Sequence, residues 1–271
     1  MYIDSHQHFW NYDPERDAWI TDQMSAIQKD FTPQDLEALL RKNKIDGCVA
    51  VQSDQSETET RFLLSLAEQH DFIKGVVGWV DLLADNLEAR LSHFSTFNKF
   101  KGIRHIVQDE PIGFMDKPEF QNGIQVLGDF DLTYDILIKP PQLKEAIALV
   151  NKFPNQKFVL DHIAKPVISK GVDQQWATEI KELAKHPNLY CKASGMVTET
   201  DNFEWSPDDF NAFLHLVTNA FGPDRIMFGS DWPVCLLAAS YQQVHSIITD
   251  FYSGPTLNKV MGENAMRFYN L

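Results

Sequence analysis

Short apolar runs alternate with longer amphipathic stretches along the chain, and this alternation constrains the fold more than any other feature. The eight runs cover residues 2–4, 47–51, 74–80, 102–107, 133–138, 157–160, 189–191 and 225–228. Each is bounded by polar or turn residues, as expected of a strand buried on both faces. Helical patterns lie at 34–43, 59–70, 87–97, 142–153, 176–186, 208–221 and 241–252. The first has a clear start signal: Thr32 at the N-cap, Pro33 at the first helical position and Asp35 in the first turn. Leu36, Leu39 and Leu40 then share one face.

Alternating strands and helices imply parallel strands joined by right-handed crossovers. Eight such units in 271 residues close naturally into a TIM-type (β/α)8 barrel, an α/β fold expected here as one domain over residues 1–271. An open doubly wound sheet is the competing architecture. Two connections are longer than a plain barrel needs, 9–31 after the first run and 108–120 after the fourth. Both leave the C-terminal ends of strands, where barrel active sites sit, so they are expected to cover a substrate. The first carries Trp10, Tyr12 and Trp19.

Charge narrows the range of partners. With 24 basic and 38 acidic residues the formal net charge is −14, and no basic stripe is present. Nucleic acid and anionic membrane surfaces are therefore not expected partners. No apolar run approaches the roughly 18–20 residues that cross a bilayer. The first residues show no basic segment followed by an apolar one, and Cys48, Cys191 and Cys235 have no disulfide or zinc spacing, so a cytoplasmic location is expected.

The chemistry-bearing residues gather at strand ends. In Asp4-Ser5-His6-Gln7-His8 the two histidines are two apart, and in extended chain they face the same side. Paired imidazoles of this kind suit a metal ion or the polarisation of one oxygen. His162 ends the sixth run and Asp231 follows the eighth, just past Gly229-Ser230. A carboxylate there is costly unless paired or functional. Arg104-His105 ends the fourth run and Lys192 follows the seventh. The two cations either bind substrate or pair with Asp135 and Asp161.

Taken in order, these residues resemble the amidohydrolase superfamily, and within it the L-fuconolactonase-like sugar lactonases. The resemblance rests on Asp4–His8, Gly102–His105, Tyr134-Asp135, Asp161-His162 with Lys165-Pro166, Lys192 with Ser194-Gly195, Gly229–Pro233, and Gly262–Ala265 with Arg267–Tyr269. It implies a (β/α)8 barrel that opens a sugar lactone, with a small-molecule substrate and a monomeric or homodimeric state. Asp231 is then expected to activate water, with His6, His8, His105 and His162 stabilising the oxyanion. Arg104, Lys192, Trp10, Trp232 and Tyr134 are expected to hold the sugar. The superfamily's bridging Lys or Glu after strand four is missing, as is a His after strand five, so a two-metal centre is not expected. No cofactor is expected to be obligatory; a single zinc ion would be held by His6, His8 and Asp231. A metal-dependent decarboxylase of the same superfamily and a non-catalytic sugar-binding barrel are the alternatives.

Overall fold

The computed structural model describes residues 1–271. Eight strands follow one another as β1 (Ile3–Gln7), β2 (Gly47–Val51), β3 (Ile73–Gly78), β4 (Phe100–His105), β5 (Thr133–Ile136), β6 (Phe158–Leu160), β7 (Leu189–Ala193) and β8 (Ile226–Phe228). Their spatial order is their chain order, and each pairs in parallel with the next. The last gap closes just beyond β8. There Asp231 N donates to His6 O at 2.8 Å and His8 N donates to Trp232 O at 2.7 Å. The barrel expected from the sequence is therefore present, and its seam runs through three of the residues singled out for chemistry.

The helices of the outer ring are α1 (Pro33–Lys42), α2 (Glu57–Gln69), α3 (Leu87–Phe94), α4 (Pro118–Asp129), α5 (Leu143–Lys152), α6 (Gln174–Leu183), α7 (Asn211–Phe221) and α8 (Tyr241–Phe251). At the start of α1 the Asp35 carboxylate accepts from both Thr32 N, at 2.8 Å, and Thr32 Oγ1, at 2.7 Å, as its start signal implied. Helix α4 was not anticipated from the sequence. Gly123 and Gly128 weaken its helical pattern, yet Phe120, Ile124 and Leu127 bury one face of it. Gly123 is required because a Cβ there would run into the backbone of Leu82.

Two features position the site. The register slips between Asp4 and Gln7 in β1, so Ile3 at the barrel floor and His6 above it both face inward despite being three apart. The C-terminal helix α9 (Asn264–Tyr269) then stoppers the barrel from below. Its Ala265, Phe268 and Tyr269 pack with Ile3, Val49, Val51, Val77, Val159 and Met227 into an apolar layer. Water is excluded from below, so the polar interior opens only at the mouth. No helix is long and apolar enough to cross a membrane.

The long connection after β1 is tied at its base, where Trp10 and Phe31 exchange backbone hydrogen bonds of 3.2 and 2.9 Å. The connection after β4 is pinned by Glu145 of α5, which accepts from Gly113 N at 2.6 Å. Both excursions are folded, and both rise on the mouth side.

Candidate active site

Asp231 lies at the centre of the mouth, its carboxylate almost fully buried. Its Oδ1 is 3.3 Å from His8 Nε2, 3.8 Å from His6 Nε2 and 3.9 Å from His162 Nε2. The backbone of Asp231 is left-handed, with φ +56, and this turns the carboxylate over the barrel axis. Three imidazoles from two strand ends thus converge on one oxygen.

Each ring is oriented by a second contact. His8 Nδ1 lies 2.7 Å from the carbonyl of Val51, which can only accept, so Nδ1 carries the proton and Nε2 presents its lone pair to Asp231. His162 Nδ1 meets Ser194 Oγ at 2.9 Å. His6 Nδ1 is 3.3 Å from Asp161 Oδ1 and 3.0 Å from Lys192 Nζ, while its Nε2 is 3.1 Å from Arg104 Nη1. The tautomer that gives Nδ1–H to Asp161 leaves Nε2 as an acceptor, and Arg104 Nη1 donates to it.

Burial and nearby cations keep these rings neutral. His6 is held well below the usual histidine range by burial, with Lys192 and Arg104 adding to the effect. Burial lowers His162 strongly and His8 to a smaller degree. Burial alone would push Asp231 upward, but its neighbours His162 and His8 outweigh it and hold the carboxyl below its ordinary value. The arrangement is an anionic carboxylate facing neutral imidazoles.

Such a donor set suits a divalent metal ion. One ligand atom each from His6, His8 and Asp231 lie within 4.8 Å of one another. Two imidazole nitrogens and a carboxylate oxygen are ligands that zinc accepts. The outer nitrogen of His8 is already anchored to a carbonyl, the kind of support metal-binding histidines have.

A cavity of about 330 Å³ opens above this cluster. His8, His162, Asp231 and Arg104 form its polar floor, and Ile106, Leu137 and Val234 its apolar wall. Trp19, Ser53 and Lys165 also line it. Trp19 comes from the long connection after β1 and is 42% exposed, so part of its ring is free to meet a ligand.

Several expectations require correction. Lys192 does not reach the cavity. It is wholly buried beneath His6, 2.5 Å from Asp135 Oδ2 and 3.0 Å from Asp161 Oδ1, so of its two possible roles it takes the structural one. Tyr134 faces outward from β5 and packs against Phe120 and Phe158. Trp232 packs against Phe9 and Phe31, and Trp10 against Trp19 and Phe31. None of these three aromatics lines the cavity. His105 also points away: it stacks on Phe114, accepts from Trp79 Nε1 at 3.3 Å and lies 3.0 Å from Glu110. Arg104 does line the cavity, but it also pairs with Asp161 at 3.3 Å and donates to the carbonyl of Gln52.

The sequence reading passed over several residues. Asp161 and Ser194 orient His6 and His162 from beneath. Asp4 accepts from Ser230 N at 2.9 Å and from Tyr241 Oη at 3.0 Å, fixing the turn that leads into Asp231. Trp19 and Lys165 are part of the cavity wall. All five fall within segments already noted, but only side-chain parity at each strand end separates orienting residues from lining ones.

Comparison with known proteins agrees with this geometry. The amidohydrolase family model matches residues 3–271. An L-fucono-1,5-lactonase of Burkholderia ambifaria is 36% identical, and the alignment covers 99% of this chain and 95% of that protein. A crystal structure of an amidohydrolase from Burkholderia multivorans with bound zinc superposes with a TM-score of 0.96 at 37% identity, covering 100% of this chain and 99% of that one. A dihydroxybenzoic acid decarboxylase from Polaromonas, at 13% identity and a TM-score of 0.70 over 100% of this chain and 97% of that one, shares the fold alone. With the strand-end histidines and aspartate in place and a family match from Ile3 to Leu271, this chain belongs to the amidohydrolase family.

Proposed function

We propose that this protein is a lactonase that opens the ring of a sugar lactone of the L-fucono-1,5-lactone type. The observation that carries the reading is the carboxylate of Asp231, within 3.3–3.9 Å of three neutral imidazoles on the floor of a closed-bottomed cavity. The Burkholderia lactonase similarity, 36% identity over 99% of the chain, supports the substrate class. A monosaccharide lactone is small enough for a cavity of about 330 Å³.

Ring opening needs a base and a positive site. Water attacks the carbonyl carbon C1 and gives a proton to Asp231, the anionic group among neutral rings. The carbonyl oxygen gathers negative charge opposite Arg104, whose guanidinium is fixed by Asp161 and the Gln52 carbonyl before substrate arrives. The bond from C1 to the ring oxygen then breaks. The proton returns from Asp231 to that oxygen, giving a hydroxy acid. His162, with Ser194 on its far nitrogen, sits 3.9 Å from the same carboxylate oxygen.

His6, His8 and Asp231 would hold a single zinc ion, which when bound supplies Lewis acidity to the carbonyl or to water. We infer that this metal is not obligatory, because an alkoxide is a better leaving group than an amine and Arg104 already offers a positive site.

The experiment is a panel of aldono-1,4- and 1,5-lactones with acid release followed by a pH indicator. Stereoselective release that saturates with an L-fucono-type lactone supports the reading. An absence of release across the panel, with and without added zinc, rejects it.

A further inference from the structure

The cavity wall contains a second cation that the ring-opening step does not use. Lys165 lines the cavity beside His162 and Asp231. Its nearest carboxylate, Glu199, is 3.6 Å away, beyond hydrogen-bond range. Arg104, the other cation lining the cavity, is engaged by Asp161 and the Gln52 carbonyl. Lys165 is thus ion-paired with Glu199 but makes no side-chain hydrogen bond, which leaves N–H donors at the cavity wall for a ligand oxygen.

The backbone that carries this lysine is strained. His162, Ile163, Ala164 and Lys165 all have positive φ, between 49 and 61. Left-handed geometry is unfavourable for each, most of all for β-branched Ile163. Lys165 also precedes Pro166, and a residue before proline is pushed toward extended backbone instead. A turn held against these preferences places His162 and Lys165 at the same cavity wall, and strain of this kind concentrates at ligand-binding positions.

We propose that Lys165 is the residue that holds the carboxylate created by ring opening, and so sets the affinity of the site for its acid product. This inference rests on the lactonase reading. Water adds to C1, the bond from C1 to the ring oxygen breaks, the ring oxygen keeps a proton, and the new acid loses its own proton to solvent. A neutral substrate thereby becomes an anion inside the cavity. Arg104 meets the transient oxyanion, and Lys165 meets the lasting charge.

The test compares L-fuconate and L-fucono-1,5-lactone on the unaltered protein and on Lys165→Met, Lys165→Arg and Glu199→Gln. Calorimetry gives the affinity for L-fuconate without turnover, and initial rates give its inhibition constant and the KM of the lactone. Losing one charge-assisted contact should weaken L-fuconate by about tenfold or more. That loss should exceed the change in lactone KM by a similar factor. Lys165→Arg should restore most of the affinity, and Glu199→Gln should tighten it by removing the competing carboxylate. Equal weakening of acid and lactone in Lys165→Met, or unchanged L-fuconate affinity, overturns the role of Lys165 while leaving the lactonase reading intact. If the unaltered protein neither opens the lactone nor binds L-fuconate, both readings fall.

Discussion

The backbone amide of Asp231 donates to the carbonyl of His6 at 2.8 Å, and the side chains of the same two residues meet again with His6 Nε2 3.8 Å from Asp231 Oδ1. The contact that closes the barrel is therefore also the contact that assembles the site. A base positioned by backbone hydrogen bonds at a barrel seam loses little order when its side chain is changed conservatively.

Asp231→Asn follows directly from that relationship. Asparagine tolerates the left-handed backbone that Asp231 adopts, with φ +56, so the turn should persist. What disappears is the proton acceptor. The expected result is a fall in kcat of roughly 10²–10⁴-fold with an unchanged circular dichroism spectrum and little change in Tm. Near-normal turnover would remove Asp231 from the role of base.

Much of this was legible in the sequence, and the exceptions have a common cause. Alternation gave the barrel, and the two-residue spacing correctly placed His6 and His8 on one face. Lys192 and Tyr134 were misread because adjacency to an apolar run reveals neither which side a residue faces nor how deep it lies. In β5 it is Asp135 that faces inward, so its neighbour Tyr134 must face the helices. Lys192 faces inward too, but one layer below the mouth, where Asp135 and Asp161 neutralise it. Depth is set by the stagger between strands, which no local pattern encodes. Trp19 was noted only as part of a long connection, since nothing local shows that the connection folds back over the cavity.

The histidine cluster can be tested without turnover. Zinc should bind at a stoichiometry near one and raise Tm, because a ligand that binds only the folded chain stabilises it. His6→Ala and His8→Ala should each abolish that rise. His215→Ala should not, since His215 packs edge-to-face against Phe251 in the outer ring. Chelator-treated protein should retain measurable lactone opening. Complete loss of activity, restored by zinc, would make the metal obligatory and overturn that part of the reading.

Trp19→Ala addresses the covering connection. An indole that is 42% exposed at a cavity rim offers a flat apolar face to a sugar ring. Truncation should raise the lactone KM several-fold with a smaller effect on kcat, because the indole is remote from the proton transfer. Quenching of the intrinsic fluorescence by substrate should shrink in the same variant. A kcat effect as large as that of Asp231→Asn would mean that the connection shapes the reacting groups themselves.

Glu59 allows a stability test with a defined sign. It lies in α2, and its carboxylate accepts from Ser53 N at 3.0 Å and Ser53 Oγ at 2.8 Å, and also from Asp54 N, securing the turn that carries cavity-lining Ser53. Burial pushes its carboxyl from the ordinary 4.5 up to about 7 despite those donors. Between these two values the folded chain holds a proton that the unfolded chain has released, so this group costs stability as pH rises from about 4.5 to about 7. The full shift corresponds to roughly 3 kcal/mol. The buried histidines act in the opposite direction, because their lowered values make stability fall as pH drops below the usual histidine range. The two effects separate by difference. Urea unfolding of the unaltered protein and of Glu59→Gln between pH 4.5 and 8 should give curves whose gap shifts in favour of the variant as pH rises, levelling off above about 7. Glutamine keeps the shape and one acceptor, so the variant should fold. A gap independent of pH would show that Glu59 ionises as freely in the folded chain as in the unfolded one.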